Sequence, residues 1–155
     1  MFERFLESAA ATEGLGERMS QHLAPGCVLY LRGDLGAGKT TLARGLLRGL
    51  GHRDTVKSPT FTLVEPYVLA RWRLFHWDLY RLSDPEELEY LGLREQLDGE
   101  AILLIEWPEQ GRGELPAADV EVTLAYADRG RSCRLEARSP EGRALVAALN
   151  PSGAA

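Results

Sequence analysis

Cysteine is scarce in this sequence, and its scarcity narrows the possible chemistry. The chain of 155 residues contains two, Cys27 and Cys133, which form neither a CxxC pair nor a spacing suited to zinc. Both lie in segments with the pattern of strands, where a lone cysteine usually acts as a small buried apolar side chain. We therefore favour two buried thiols over a disulfide or a reactive thiol.

Long apolar runs are also missing, and positive charge is not in excess. No apolar run approaches the ~18 residues needed to cross a bilayer, and the opening segment, MFERFLESAAATEG, lacks the apolar stretch of a signal peptide. The net charge of −5 argues against tight, unaided binding to nucleic acid, which needs a concentrated basic face. We expect a cytoplasmic protein that does not contact a membrane.

The composition is that of a globular protein, with 45% hydrophobic and 26% charged residues. The length suits one domain, and no internal repeat or low-complexity segment occurs. We predict a single domain over residues 1–149 and a flexible C-terminal tail over residues 150–155.

Strand-like and helix-like patterns alternate along the chain, which predicts an α/β fold. Short apolar runs at residues 27–31 and 101–105 predict strands that are buried on both faces. The other predicted elements are a helix at 12–23 capped by Thr12, a helix at 39–50, strands at 63–69 and 72–79, a helix from Asp84 to about 97, a hairpin around 128–130, and a helix at 140–149 capped by Ser139.

Residues 33–41, GDLGAGKTT, match the phosphate-binding pattern G-x-x-x-x-G-K-[ST]. Glycines let a backbone wrap a phosphate, and the helix that follows points its unpaired amides at the same anion. Lys39 would bind the β- and γ-phosphates of ATP, and the Thr40 hydroxyl suits a Mg²⁺ ligand. The residues expected to line this nucleotide site are Asp34, Leu35, Gly36, Ala37, Gly38, Lys39, Thr40 and Thr41, with Asp34 better suited to stabilising the loop. The motif predicts a P-loop NTPase three-layer sandwich, with a mixed, largely parallel central sheet and an antiparallel edge hairpin.

A P-loop needs an acid at the end of a neighbouring strand to hold Mg²⁺ or its waters. Glu106 directly follows the second apolar run, and we predict that it binds the metal together with Thr40. The alternative is a glutamate that caps the turn before Pro108.

Asp78 ends another predicted strand and is the second acidic candidate. We predict that it lies near the γ-phosphate, where it orients the attacking water or accepts its proton; an ordinary strand-end aspartate is the alternative. Thr60 lies in a polar loop that could sense the γ-phosphate, or it could simply form a side-chain turn. The catalytic candidates are thus Asp78, Lys39 and Thr60.

The three histidines, His22, His52 and His76, are too scattered in the sequence to propose a metal site. Structural or surface roles are favoured for each. Trp107 and Trp77 each neighbour one of the two acids; core packing explains both, although Trp107 could report nucleotide binding by its fluorescence.

Four sequence blocks together resemble the bacterial TsaE family. They are GDLGAGKTT at 33–41, KSPTFTLVEPY at 57–67, HWDLYRLSDPEELEYLG at 76–92 and LLIEWPEQG at 103–111. The resemblance covers nearly the whole chain in the same order. It identifies the chain with the ATPase component of tRNA threonylcarbamoyladenosine biosynthesis.

The resemblance implies a P-loop α/β fold, ATP/ADP and Mg²⁺ as ligands, and slow ATP hydrolysis by the protein alone. Its implied partners are the TsaD and TsaB proteins, whose complex transfers threonylcarbamoyl to the adenosine beside the anticodon. ATP binding and hydrolysis would reset that complex between turnovers, and tRNA would be reached only through it. Alone, the protein is expected to be a monomer or a weak dimer.

The resemblance also implies roles for individual residues. Lys39 and Thr40 fall on the phosphate and Mg²⁺ positions, Glu106 on the metal-ligand position, and Asp78 on the aspartate of the HWDLYR block. Residues 58–60 fall on a switch-like loop. For the adenine pocket, Thr12 and the turn at 129–131, with Arg131, are suggested by position.

Three other functions compete with this interpretation. A small GTPase would read guanine through an N/TKxD motif, which is absent, and the single asparagine of the chain is Asn150. A small-molecule kinase would need an arginine-bearing lid, for which Arg71, Arg73 and Arg81 could be mistaken. A nucleotide-gated assembly factor would bind ATP or ADP with negligible hydrolysis.

Overall fold

The computed structural model of the chain describes residues 1–59 and 61–150. The elements in this part of the chain are β1 (Phe2–Leu6), α1 (Ala9–Ser20), β2 (Val28–Arg32), α2 (Lys39–Gly49), β3 (Val64–Val68), β4 (Arg73–Asp78), α3 (Glu87–Tyr90), β5 (Ile102–Glu106), β6 (Val120–Ala127), β7 (Gly130–Ala137) and α4 (Pro140–Leu149), with 3₁₀ turns at Arg94–Gln96 and Pro108–Gly111. Within these residues no helix is long and apolar enough to cross a membrane. The last five residues of the predicted tail, 151–155, lie outside the described residues.

The seven strands form one sheet in the order β1-β7-β6-β2-β5-β4-β3. β2 pairs in parallel with β5 and β6, and β4 pairs in parallel with β5. β7 is antiparallel to its neighbours β1 and β6, and β3 is antiparallel to β4. Five strands therefore run one way and β3 and β7 the other, which confirms the predicted α/β class with a mixed, largely parallel sheet. β1 was not predicted from the sequence, and it adds an outer strand beside the predicted β6–β7 hairpin.

Side chains of the central strands alternate between the two faces of the sheet. Leu74, Leu104 and Leu31 face the layer built by α1, α2 and α4. Trp77 and Ile105 face the other side of the sheet. Leucine side chains from residues 79–93, the segment that contains α3, pack against this side. By the same alternation His76, Asp78 and Glu106 belong to the α2 face, and this places the predicted acids on the side of the glycine-rich loop.

The first helix begins earlier than predicted. The Ser8 hydroxyl accepts a hydrogen bond from the Ala11 amide at 3.1 Å, and α1 starts at Ala9. Thr12 lies inside the helix, where its hydroxyl donates to the Ser8 carbonyl at 3.3 Å. The prediction that Thr12 caps the helix was therefore wrong, because Ser8 already occupies that position with a well-placed acceptor.

The predicted helix from Asp84 to about residue 97 was also wrong in its length. The predicted cap at Asp84 was also wrong: Glu86 is the N-cap residue of α3 and makes no side-chain cap, while Oδ1 of Asp84 accepts from the Glu86 amide at 2.9 Å in the preceding turn. The helix stops after one turn, because Gly92 adopts φ +89° and the Leu93 amide bonds back to the Leu88 carbonyl at 3.1 Å. Such a glycine turn ends a helix.

Both cysteines are buried and free. Burial raises the pKa of Cys27 and of Cys133 to about 12. The prediction of two buried thiols is confirmed.

Candidate functional site

The loop between β2 and α2 takes a conformation that requires glycine. Gly33, Gly36 and Gly38 have φ values of 149°, 80° and 107°, which residues with a Cβ rarely adopt. A Cβ on Gly33 would lie 2.5 Å from the Leu124 carbonyl oxygen, and one on Gly36 would lie 2.5 Å from the Tyr126 hydroxyl. The backbone of the loop therefore lies directly against the β6–β7 hairpin.

That hairpin holds the outer side of the loop by two hydrogen bonds. The Tyr126 hydroxyl donates to the Leu35 carbonyl at 2.9 Å, and Arg131 donates to the Gly36 carbonyl at 3.2 Å. The Arg131 guanidinium also lies 4.3 Å from the centroid of the Tyr126 ring. Two side chains of the hairpin thus hold two successive carbonyls of the loop.

The amino end of α2 concentrates positive charge. Gly38 occupies the N-cap position of α2 and provides no side-chain hydrogen bond, whereas the hydroxyls of Ser8 and Ser139 cap α1 and α4. Unpaired amides and the helix dipole make such an end a site for anions. Lys39, the first residue of α2, adds an ammonium group to the same place.

Lys39 is buried, with 5% of its surface exposed. Its ammonium donates to the Gly33 carbonyl and lies 4.0 Å from the centroid of the Trp107 ring. Burial lowers the pKa of Lys39, and the carboxylates of Glu106 and Asp78 oppose that effect. The ammonium is therefore held inside the loop by weak acceptors, which a phosphate oxygen could replace.

Two buried carboxylates face this ammonium from the sheet. β4 and β5 pair in parallel so that Asp78 lies opposite Glu106, and both side chains are buried. The Asp78 carboxylate accepts from the Ser58 hydroxyl at 3.3 Å and from the Tyr80 amide at 3.0 Å. The register of two neighbouring strands therefore places both predicted acids at one edge of the sheet.

Trp107 follows Glu106 in a strained conformation. Its φ is 56°, a region that costs a non-glycine residue about 1–2 kcal/mol. The turn places its ring over Lys39, and the Tyr80 ring lies 4.9 Å away on centroids. Strain of this kind often accompanies functional sites, and here it aims an aromatic face at the loop lysine.

Two cavities adjoin the loop, one on each side. The first has a volume of about 200 Å³ and is lined by Leu35, Gly36, Gly38, Lys39, Thr40, Thr41, Ser58, Asp78, Glu106 and Trp107. The second has a volume of about 250 Å³ and is lined by Leu6, Ser8, Ala9, Thr12, Gly36, Gly38, Thr41, Arg129, Gly130 and Arg131. They share the loop residues Gly36 and Gly38 and the α2 residue Thr41, so a ligand with an anionic tail and a bulkier head could span both.

A family model for the threonylcarbamoyl adenosine biosynthesis protein TsaE matches residues 6–134. The chain belongs to the TsaE family. The matched range begins at the end of β1 and ends within β7, and it contains every residue of the two cavities.

Individual TsaE proteins are similar to this chain over most of their length. The "tRNA threonylcarbamoyladenosine biosynthesis protein TsaE" of Haemophilus influenzae is 50% identical over 129 residues, which are 83% of this chain and 82% of that protein. The protein of the same name from Bacillus subtilis is 39% identical over 116 residues, which are 75% of this chain and 72% of that protein. Among solved structures, the crystal structure of Bacillus subtilis YdiB matches with a TM-score of 0.80 and 29% identity, covering 93% of this chain and 90% of that one.

In this TsaE family member the structure brings most of the predicted residues together. Lys39, Thr40, Asp78 and Glu106 share the first cavity, and Thr12 and Arg131 line the second. Thr60 lies outside the described residues, and its role stays a prediction. The carbonyl of Asp34 accepts from the Ala37 amide at 3.0 Å within the loop, in keeping with a part in loop geometry.

Two residues of the TsaE site were not foreseen from the sequence. Tyr126 contacts the loop only because the order of the strands places the β6–β7 hairpin beside it, and no local pattern signals that contact. His76, assigned a structural or surface role, lies 2.6 Å from Glu106 through its Nε2 atom. Its place two residues before Asp78 on the same strand face was an available signal.

Proposed function

We propose that the chain binds ATP with Mg²⁺ beside the glycine-rich loop and hydrolyses it in support of tRNA threonylcarbamoyladenosine biosynthesis. The observation that carries the proposal is the uncapped amino end of α2, with the buried Lys39 ammonium facing two buried carboxylates. An anion-binding end beside a pair of acids suits a phosphate chain with its metal ion.

The phosphate chain would lie along the loop. Lys39 would exchange the Gly33 carbonyl for a phosphate oxygen, a stronger acceptor because it is charged. The bonds from Tyr126 and Arg131 to two loop carbonyls support this role, because they hold the loop in place beside the helix end.

The first cavity also offers ligands suited to Mg²⁺. Mg²⁺ prefers hard oxygens and usually takes one or two protein ligands while keeping waters and substrate phosphates. The Thr40 hydroxyl and the Glu106 carboxylate line this cavity together. When bound, the ion would neutralise charge on the phosphate oxygens.

Asp78 is the residue proposed to act on the attacking water. Its carboxylate lines the same cavity as Lys39, and the Ser58 hydroxyl and the Tyr80 amide orient it. From this position it would orient the water or accept its proton.

The second cavity is proposed to hold the adenine and ribose. Thr12 contributes a side chain from α1 and Arg131 one from the hairpin. The cavity borders the loop at Gly36 and Gly38, so a base there would be continuous with phosphates in the first cavity.

The place of this activity in tRNA modification rests on the family. Its relatives carry the name tRNA threonylcarbamoyladenosine biosynthesis protein, and we extend that role to this chain. We propose TsaD and TsaB as its partners, and contact with tRNA only through their complex, in keeping with the net charge of −5. ATP hydrolysis would reset that complex between turnovers. A pull-down with both proteins tests this: retention that depends on ATP supports it, and no retention under any nucleotide condition contradicts it.

A kinase lid built on Arg73 is disfavoured by position. Arg73 begins β4, at the opposite end from Asp78, and its guanidinium pairs with the exposed Asp98. It is therefore remote from the phosphate site.

The binding proposal is tested by titration calorimetry with ATP and Mg²⁺ on Lys39→Ala. We expect the affinity to fall about 10- to 150-fold, because a hydrogen bond to a charged group contributes about 1.5–3 kcal/mol. Arg44→Ala is the matched control, since Arg44 also lies on α2 but pairs with Glu13; its affinity should equal that of the wild type. Unchanged affinity in Lys39→Ala would contradict the proposal.

A further inference from the structure

A buried polar pair lies beneath the proposed metal ligand. His76 is fully buried, Glu106 is 2% exposed, and Nε2 of His76 lies 2.6 Å from Oε2 of Glu106. On this face of β4 and β5 the apolar Leu74 and Leu104 lie towards the amino ends of the strands, and Asp78 lies opposite Glu106. The His76–Glu106 pair thus lies at the boundary between the hydrophobic part of this face and the acids at its carboxyl end.

Stability does not explain His76. A well-packed apolar side chain in such a place is usually at least as stabilising as a buried polar pair. In addition, Nδ1 of His76 is buried and has no hydrogen-bond partner among residues 1–59 and 61–150, and a buried polar atom left unpaired is unfavourable. An unfavourable group retained beside a site points to a function.

We propose that His76 is a positioning residue for the bound Mg²⁺, acting through Glu106; the inference rests on the proposed function. An ionised carboxylate only accepts hydrogen bonds, so Nε2 of His76 donates to Oε2. That bond fixes the rotation of the carboxylate and leaves Oε1 available as a metal ligand.

The same hydrogen bond keeps the Glu106 carboxylate from forming an ion pair with the Lys39 ammonium. The Glu106 carboxylate and the Lys39 ammonium carry opposite charges and line the same cavity, so they attract each other. A carboxylate paired with that ammonium would remove both groups from their proposed ligands. His76 therefore keeps the metal ligand and the phosphate ligand separate.

The test compares His76→Leu, which removes the donor, with His76→Gln, whose amide can replace Nε2. ATP affinity is measured by calorimetry over a series of Mg²⁺ concentrations and in EDTA. For His76→Leu we expect the Mg²⁺ concentration that supports binding to rise about tenfold to a hundredfold, as for other partners of metal ligands, with affinity in EDTA unchanged. His76→Gln should restore most of the Mg²⁺ dependence, and His22→Leu, at an exposed histidine, should match the wild type.

A mutant cycle separates positioning from general damage. In a Glu106→Ala background, His76→Leu should cause no further loss of Mg²⁺ dependence, because the group it orients is gone. Should His76→Leu fail to fold by circular dichroism, His76→Asn replaces it, since its shorter amide cannot reach Oε2 as Gln does.

The inference is overturned if folded His76→Leu keeps the wild-type Mg²⁺ dependence, or if it loses affinity equally with Mg²⁺ and in EDTA. Wild-type binding that is independent of Mg²⁺ would contradict the proposed function itself. The two failures are therefore distinguishable in one set of titrations.

Discussion

The central strands β2, β4 and β5 end in two very different environments. At their carboxyl ends lie the buried charges of Lys39, Asp78 and Glu106 and the strained backbone of Trp107. At the amino ends of β4 and β5 the charges are exposed and locally satisfied: Asp98 accepts from the amides of Glu100 and Ala101 at 2.8 and 2.9 Å and pairs with Arg73.

The two ends of the sheet therefore differ in what they cost the stability of the fold. The amino ends place polar groups where water and neighbouring amides satisfy them, so this end costs the fold little. The carboxyl ends bury an ammonium group and two carboxylates and adopt left-handed backbone, which the packed remainder of the sheet must offset. Changes at the two ends should therefore affect different observables.

The largest expected effect comes from the acids. Asp78→Asn should lower the rate of ATP hydrolysis about 10²–10⁴-fold, the range for loss of a general acid–base group, while ATP affinity changes little. The measurement is phosphate release at saturating ATP with TsaD and TsaB present. Asp98→Asn, at the other end of the sheet, should hydrolyse ATP at the wild-type rate.

If Asp78→Asn and the wild type hydrolyse ATP at the same rate, Asp78 does not act on the attacking water. A second measurement asks whether the Asp78→Ala and Glu106→Ala variants can replace the wild-type protein in supporting tRNA modification. If both variants fully support tRNA modification, hydrolysis is not required and the chain acts as a nucleotide-gated assembly factor.

Two glycines with the same backbone φ angle, one at each end of the sheet, allow a matched comparison of the two ends. Gly36 and Gly99 both have φ 80°, yet a Cβ would meet the Tyr126 hydroxyl at Gly36 and nothing within 4 Å at Gly99. Both alanine variants should lose about 1–2 kcal/mol of unfolding free energy from backbone strain. Only Gly36→Ala should also weaken ATP binding, because it moves the loop.

Urea unfolding and calorimetry on the two variants measure both quantities. Adding Tyr126→Phe to Gly36→Ala removes the hydroxyl that the new Cβ meets and shows how much of the loss is steric. Equal ATP affinity in Gly36→Ala and Gly99→Ala would mean that the loop conformation does not matter for binding.

The smallest effect is a pH dependence at the amino ends. The amides of Ala101 and Glu100, together with Arg73, lower the pKa of Asp98 from 3.8 to about 2. Since the folded pKa lies below the unfolded one, the stabilisation is complete above about pH 4 and is lost as pH falls towards 2. Asp98→Asn should therefore show a shallower loss of stability over this window in urea unfolding; parallel curves for the two proteins would refute the assignment.

Some of the site could be predicted because its signals are local. Gly33, Lys39 and Glu106 are recognisable from residue type, spacing and the apolar runs before them. Gly92 was also a local signal for a helix end, and the predicted helix to about residue 97 did not take it into account. β1 was missed because its residues, FERFL, show no clear alternation and become a strand only by pairing with β7.

The sequence by itself determined which backbone angles the glycine-rich loop can adopt and which ionisable groups lie around it, because a backbone's allowed angles and a side chain's ionisable group belong to each residue alone. Only the tertiary structure decided that Tyr126 holds the Leu35 carbonyl and that His76 bonds Glu106. Those contacts join segments distant along the chain, and they exist because strand order and register bring the segments within hydrogen-bonding distance.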